Sequence, residues 1–255
     1  MLKAKVVKKD FLTEKIILLS LEVPKSLLES FKPGQFLKIR VSLHSYDPLC
    51  PRPFTVHFIE EKALQILFQI VGRGTYVLSN VKEGDELEIL GPLGKPFPEE
   101  MEFPLALCAG GLGIAGFGFF LEKLPLSLRK DTLLYYGAKS QRELVRLELF
   151  KSLVSELKLA TEDGSIGFKG FVTDLLEKDL QEGKIKTILG CGPIGMLRKL
   201  KYLEKKFKVK TFLSLETFLA CGTGFCLGCV IPKREGSYFH LCMDGPTLPA
   251  DEVII

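Results

Sequence analysis

At 255 residues and 46% apolar, the chain is long enough for two cores of ordinary size and a small appendage. Its net charge of +4, from 35 basic and 31 acidic residues spread throughout, leaves no single-sign block and argues against a nucleic-acid or membrane surface. No run reaches the roughly 18 apolar residues that span a bilayer, and the opening MLKAKVVKKDFLTEKIILL lacks the pattern of a signal peptide, so the chain is expected in the cytoplasm.

Up to about residue 98, the segments 3–11, 15–23, 35–41, 53–59, 63–70 and 85–90 read as strands, separated by turn residues such as Pro33-Gly34 and Glu83-Gly84-Asp85. This spacing predicts an antiparallel β-barrel over 1–99, with a helix only from Thr75 to Val81. Arg52-Pro53-Phe54-Thr55 opens the fourth strand. Gly72-Arg73-Gly74-Thr75 precedes the helix, with Leu67, Phe68 and Gln69 on the strand before it. A helix start offers N–H groups to a pyrophosphate, glycines admit the ligand to the backbone, Arg52 adds bidentate charge, and Thr55 can bond a flavin ring edge. Each motif alone also reads as an edge strand or a turn. Together, ahead of a nucleotide domain, they point to FAD on these residues.

From about residue 103 the rhythm changes. Short apolar runs at 105–110, 132–137, 157–161, 185–190 and 209–215 alternate with helical patterns near 114–124, 142–157, 171–181 and 193–207, the order of an α/β doubly wound parallel sheet over 100–212. The first run enters Gly110-Gly111-Leu112-Gly113-Ile114, a strand, glycine loop and helix order that binds phosphates. Another run ends at Gly190-Cys191-Gly192-Pro193. Ligands in such sheets lie beyond the carboxyl ends of the strands, so Gly110, Gly111, Gly113, Ile114, Cys191, Gly192 and Pro193 are candidates for NAD(P). A lone glycine loop can equally serve packing. Lys139 and Arg142 follow the second strand, where a 2′-phosphate would be read, but exposed basic residues there are ordinary. No residue is assigned a catalytic role.

After about residue 213 periodicity fails, and this tail is expected to bury little and to need a metal centre to fold. It holds four of the seven cysteines, Cys221, Cys226, Cys229 and Cys242, in a C-x4-C-x2-C order with the fourth after twelve intervening residues. That is the plant-type [2Fe-2S] spacing. Gly222, Gly224 and Gly228 would let backbone amides approach the sulfurs by taking positive φ. A four-cysteine zinc site is the alternative, although zinc ribbons separate two short pairs where here three cysteines share one loop. His240 cannot supply the two histidines of a Rieske centre.

These motifs resemble the ferredoxin reductase family, and within it the electron transfer subunits of dihydroorotate dehydrogenase, along the whole chain. The resemblance implies FAD on Arg52 to Thr55 and Gly72 to Thr75, a nicotinamide nucleotide at Gly110 to Gly116 and Cys191 to Pro193, and the cluster on Cys221, Cys226, Cys229 and Cys242, in a small C-terminal domain over 213–255. It further implies an FMN-containing catalytic partner subunit in a heterotetramer, with electrons passing through the cluster and FAD to NAD. Gly116 stands where relatives usually carry proline, and Leu219 where many carry methionine. Relatives of the same layout serve sulfide dehydrogenases, ferredoxin:NADP oxidoreductases and hydrogenases. Another such complex, or a non-catalytic zinc-stabilised protein, are the competing readings.

Overall fold

The computed structural model describes residues 1–41 and 47–255. Two compact units emerge. One comprises residues 1–97, 216–230 and 239–246, the other 98–215, 231–238 and 247–255.

In the first unit, β1 (Leu2–Phe11), β2 (Ile16–Glu22), β3 (Phe36–Arg40), β4 (Arg52–Glu60), β5 (Ala63–Gln69) and β6 (Glu86–Leu93) form a closed antiparallel barrel in the order β1-β2-β5-β4-β3-β6. Alternation along the strands turns Val6, Ile17, Leu19, Leu37, Ile39, Leu64, Ile66 and Ile89 into the core, all fully buried. Burial of such side chains stabilises by about 1.5–3 kcal/mol each. The expected helix appears as α2 (Arg73–Ser79), but α1 (Lys25–Ser30) was not anticipated. Six residues after Pro24 are too few to show a helical period, although Leu27 and Leu28 are buried.

In the second unit, β7 (Leu105–Gly110), β8 (Thr132–Ala138), β9 (Glu156–Thr161), β10 (Phe168–Lys169), β11 (Thr187–Cys191) and β12 (Lys210–Ser214) lie parallel in the order β10-β9-β8-β7-β11-β12. Residues 105–109 are buried throughout, as expected of a strand covered on both faces. Helices α3 (Phe117–Lys123), α4 (Leu126–Lys130), α5 (Leu147–Leu153), α6 (Val172–Gln181) and α7 (Ile194–Phe207) connect the strands, with α3 against α5 and α6 against α7. The helix expected over 142–157 shrinks to α5. Arg146 takes a left-handed conformation just before it, and residues 156–161 alternate as β9 instead.

The tail buries more than its sequence implies. Leu215, Ile231, Phe239, Leu241, Leu248 and Val253 are all buried. After the hairpin strands β13 (Val230–Pro232) and β14 (Tyr238–His240) comes α8 (Leu241–Asp244), and β15 (Thr247–Pro249) adds antiparallel to β12. Such an edge strand has no long apolar run to announce it.

A polar network ties α6 to the sheet. Asp179 accepts from the Tyr135 hydroxyl of β8 and from Lys158 of β9. Burial works to raise the Asp179 pKa, but the Lys158 and Tyr135 hydrogen bonds outweigh it and hold the carboxyl below its ordinary value. A depressed folded pKa means that this stabilisation is complete above the ordinary carboxylate pKa and is lost as pH falls through the folded one. Asp179→Ala should therefore cost about 1–3 kcal/mol near neutral pH, by stranding the buried Tyr135 hydroxyl and removing the partner of half-buried Lys158. Denaturant unfolding at pH 7 and at pH 3 should show the difference from wild type shrinking in acid; a difference independent of pH would contradict the network's role.

Candidate functional site

Cys221 to Cys229 form an irregular loop of the first unit, and Cys242 sits on α8 of the same unit. Backbone amides converge on the sulfurs. Thr223 N and Cys226 N each lie 3.4 Å from Cys221 Sγ, Gly224 N lies 3.2 Å from Cys242 Sγ, and Cys242 N lies 3.4 Å from Cys229 Sγ. Cys229 Sγ and Cys242 Sγ are 3.3 Å apart, well beyond a disulfide bond of roughly 2.05 Å and close to the roughly 3.8 Å between two ligands of one tetrahedral metal. The sulfurs thus fall into two pairs, Cys221 with Cys226 and Cys229 with Cys242. Among the described residues no three His, Cys, Asp or Glu side chains converge on a single-ion position. Two pairs of thiols match the four ligands of a two-iron core.

The amides also set the thiol chemistry. Hydrogen bonds from Thr223 and then Cys226 push the Cys221 pKa down to about 5, which favours the ligating thiolate, while burial pushes Cys242 up to about 11. Two glycines make the close approach possible. Gly222 and Gly224 both have φ of +80°, and an added Cβ would meet Lys38 Cδ or Met243 Cγ at 2.8 Å. Gly228 does not share this conformation. The neighbouring Leu227 takes positive φ instead, at 56°. Leu241 N donates to Cys229 O, and Lys95 N to Gly245 O at 2.6 Å, which anchors α8 to both the loop and the barrel.

The candidate flavin residues come together on β4, β5 and the start of α2. A Cβ on buried Gly74 would lie 2.7 Å from Arg52 Nε, so the two sequence motifs meet directly. Thr75 Oγ1 accepts from the amides of Val71 and Gly72, leaving the first-turn amides beyond them without helical acceptors of their own. Pro53 and Gly72 are exposed, and Thr55 and Gln69 are half-buried. Phe54, Leu67 and Phe68 are buried, with the Phe54 and Phe68 rings 5.6 Å apart; strand alternation puts Phe68 in the barrel core with Leu64 and Ile66 and turns Leu67 to the outer face with Gln69.

In the second unit, β7 and β11 are adjacent and parallel, and the chain leaves them toward opposite edges of the sheet. This is a topological switch point. The loops that follow both strands touch. A Cβ on Gly113 would fall 1.9 Å from Cys191 O, and one on Gly110 would fall 2.7 Å from Pro193 Cδ. Gly111 has φ of +54° and open space where its side chain would be, whereas Ile114 is buried and acts in packing. Residues 111–116 form a 3₁₀ turn rather than the start of an α-helix, and Gly116 has φ of −73°, a value proline also adopts. Pro193 caps α7. Lys139 and Arg142 are exposed beyond β8.

Residues 216–254 match the family described as the iron-sulfur cluster binding domain of dihydroorotate dehydrogenase B. A dihydroorotate dehydrogenase B (NAD+) electron transfer subunit homolog from Aquifex aeolicus is 36% identical over 255 residues, covering 100% of this chain and 98% of the relative. The chain belongs to the dihydroorotate dehydrogenase B electron transfer subunit family. The electron transfer subunit from Caldanaerobacter subterraneus is 39% identical over 225 residues, 87% of each chain. Among solved structures, an NADH-dependent reduced ferredoxin-NADP oxidoreductase aligns with a TM-score of 0.85 at 29% identity, over 100% of this chain and 90% of that one. A ferredoxin NADP+ reductase from Neisseria gonorrhoeae, solved with FAD and NADP, shares the fold at a TM-score of 0.65 and 19% identity, over 80% and 90%.

One residue of this electron transfer subunit family member escaped sequence reasoning. Lys38 of β3 is 1% exposed, and its Nζ donates to the carbonyls of Leu219 (3.1 Å) and Ala220, immediately before Cys221. Strand alternation puts it opposite the core residues Leu37 and Ile39, on a face that a barrel normally turns to water. The signal available was the apolar Phe36 on that same outer face.

The contact at Gly113 yields a direct test. Gly113→Ala should destabilise the protein by about 1–3 kcal/mol, because the Cys191 carbonyl is backbone and cannot step aside. Gly195→Ala in α7, with nothing within 4 Å, should leave the thermal midpoint unchanged or raised. Equal midpoints for both variants would contradict the tight fit of the two loops.

Proposed function

We propose that this chain passes electrons between a partner dehydrogenase, an FMN-containing subunit that oxidises dihydroorotate in pyrimidine biosynthesis, and NAD, through a [2Fe-2S] cluster and FAD. The observation that carries the reading is the pairing of Cys221 with Cys226 and Cys229 with Cys242 under four N–H donors. A nicotinamide exchanges a hydride, a cluster passes single electrons and a flavin handles both, so the three groups together make a conduit. In this reading 1–99 hold FAD, 100–212 the nucleotide and 213–255 the cluster, in a cytoplasmic heterotetramer with the catalytic subunit. No helix among the described residues is long and apolar enough to cross a membrane.

Each of the chain's own groups has a task. Arg52, with Gly72, Gly74 and Thr75 at the start of α2, receives the FAD pyrophosphate, and Thr55 the flavin edge. The paired loops Gly110 to Ile114 and Cys191 to Pro193 receive the nicotinamide nucleotide, and the four cysteines ligate iron. The cluster loop is also unusually apolar on its outside. Phe218 is 95% and Phe225 91% exposed, with Leu227 and Met243 more than half exposed. Aromatic side chains left in water around a redox loop support partner docking there.

Cys229→Ser should lose iron yet keep FAD and the oxidation of NADH with an artificial acceptor. Dihydroorotate should be oxidised only when the catalytic subunit is added, and turnover of dihydroorotate by the chain alone would contradict the assignment. For docking, Phe218→Asp combined with Phe225→Asp should weaken binding of the catalytic subunit by about tenfold or more while iron content stays at the wild-type level. Unchanged affinity would place the partner elsewhere.

A further inference from the structure

Lys38 occupies a costly position. A lysine buried at 1% exposure on the outer face of β3 must have its charge compensated. Two compensations are visible: the carbonyls of Leu219 and Ala220, which accept from its Nζ, and the thiols of Cys50, Cys221 and Cys226, whose negative forms favour its charged state. Burial, and after it the positive charge of Arg52, both lower its pKa. The stem runs under the loop so closely that a Cβ on Gly222 would meet Lys38 Cδ at 2.8 Å. A neutral amide donor could satisfy two carbonyls, so the charge itself calls for a reason.

An anionic centre held by Cys221 and Cys226 supplies that reason. A [2Fe-2S] core with four thiolates is negative when oxidised and gains one more negative charge on reduction. A fixed cation in a poorly screened interior favours the more negative state. Resting on the reading that Cys221, Cys226, Cys229 and Cys242 hold such a cluster, we propose that Lys38 is its positioning residue: the ammonium fixes the entry of the ligand loop, and its charge raises the cluster's midpoint potential.

The test uses the holoprotein, purified without oxygen as wild type, Lys38→Met and Lys38→Arg. Iron and labile sulfide are quantified, and the midpoint is read by redox titration followed by electron paramagnetic resonance, in low and high salt. Wild type and Lys38→Arg should share a midpoint, Lys38→Met should shift to a more negative one, and high salt should leave that difference intact. Loss of the cluster in Lys38→Met but not in Lys38→Arg would also support the proposal, since the two differ in charge while both keep an apolar stem. One midpoint for all three proteins, or equal loss of iron in both variants, would overturn it while leaving the cluster reading standing. Wild type without iron would overturn the cluster reading, and the proposal with it.

Discussion

Backbone N–H groups pointing at cysteine sulfur are the interaction around which the tail is organised. Between Cys221 and Cys229 the chain makes neither helix nor strand; the amides of Thr223, Gly224 and Cys226 donate instead to the Cys221 and Cys242 sulfurs, and Cys229 Sγ accepts from Cys242 N on α8. That choice favours glycine at 222 and 224, because both take φ of +80°, a conformation that residues with a Cβ rarely adopt. It also demands an external clamp. Lys38 grips the loop entry, and the first turn of α8 grips the exit through Leu241 N and Cys229 O. A loop so constrained is built for acceptors that carry negative charge.

In the second unit the equivalent constraint is the approach of two backbones. Gly113 and the Cys191 carbonyl leave no room for a methyl group, and Gly110 is pressed by Pro193 and Met196. The packing reading of these glycines holds: the same small residues bring two strand ends together at a switch point and leave Gly111 facing open space. Cys108, two residues before Gly110 on β7, is fully buried and its thiol is pushed far up by burial, which makes it a packing residue.

Much of this was legible in the sequence, because the barrel strands alternate and the sheet strands are apolar runs bounded by glycine. The cysteine spacing likewise locates the four sulfurs, since ligand spacing in a short loop is a local property. What escaped was non-local. Lys38 looks like any lysine in a half-exposed strand until residues 219–222 fold over it from far along the chain. Phe68 lies on the strand before the flavin motif, but alternation turns it into the barrel core, where its ring packs near that of Phe54. The short helices α1 and α4 each follow a proline and span fewer than two turns, below what periodicity reveals. The strand β15 has only three residues and is fixed by its pairing with β12.

The most direct test of the conduit is the visible absorption spectrum of the anaerobically purified chain, with iron, labile sulfide, zinc and FAD measured on the same sample. About two irons, two sulfides and one FAD per chain are expected, with the red-brown absorption of a [2Fe-2S] cluster over that of a flavin. A colourless preparation with zinc in place of iron and no flavin would contradict it.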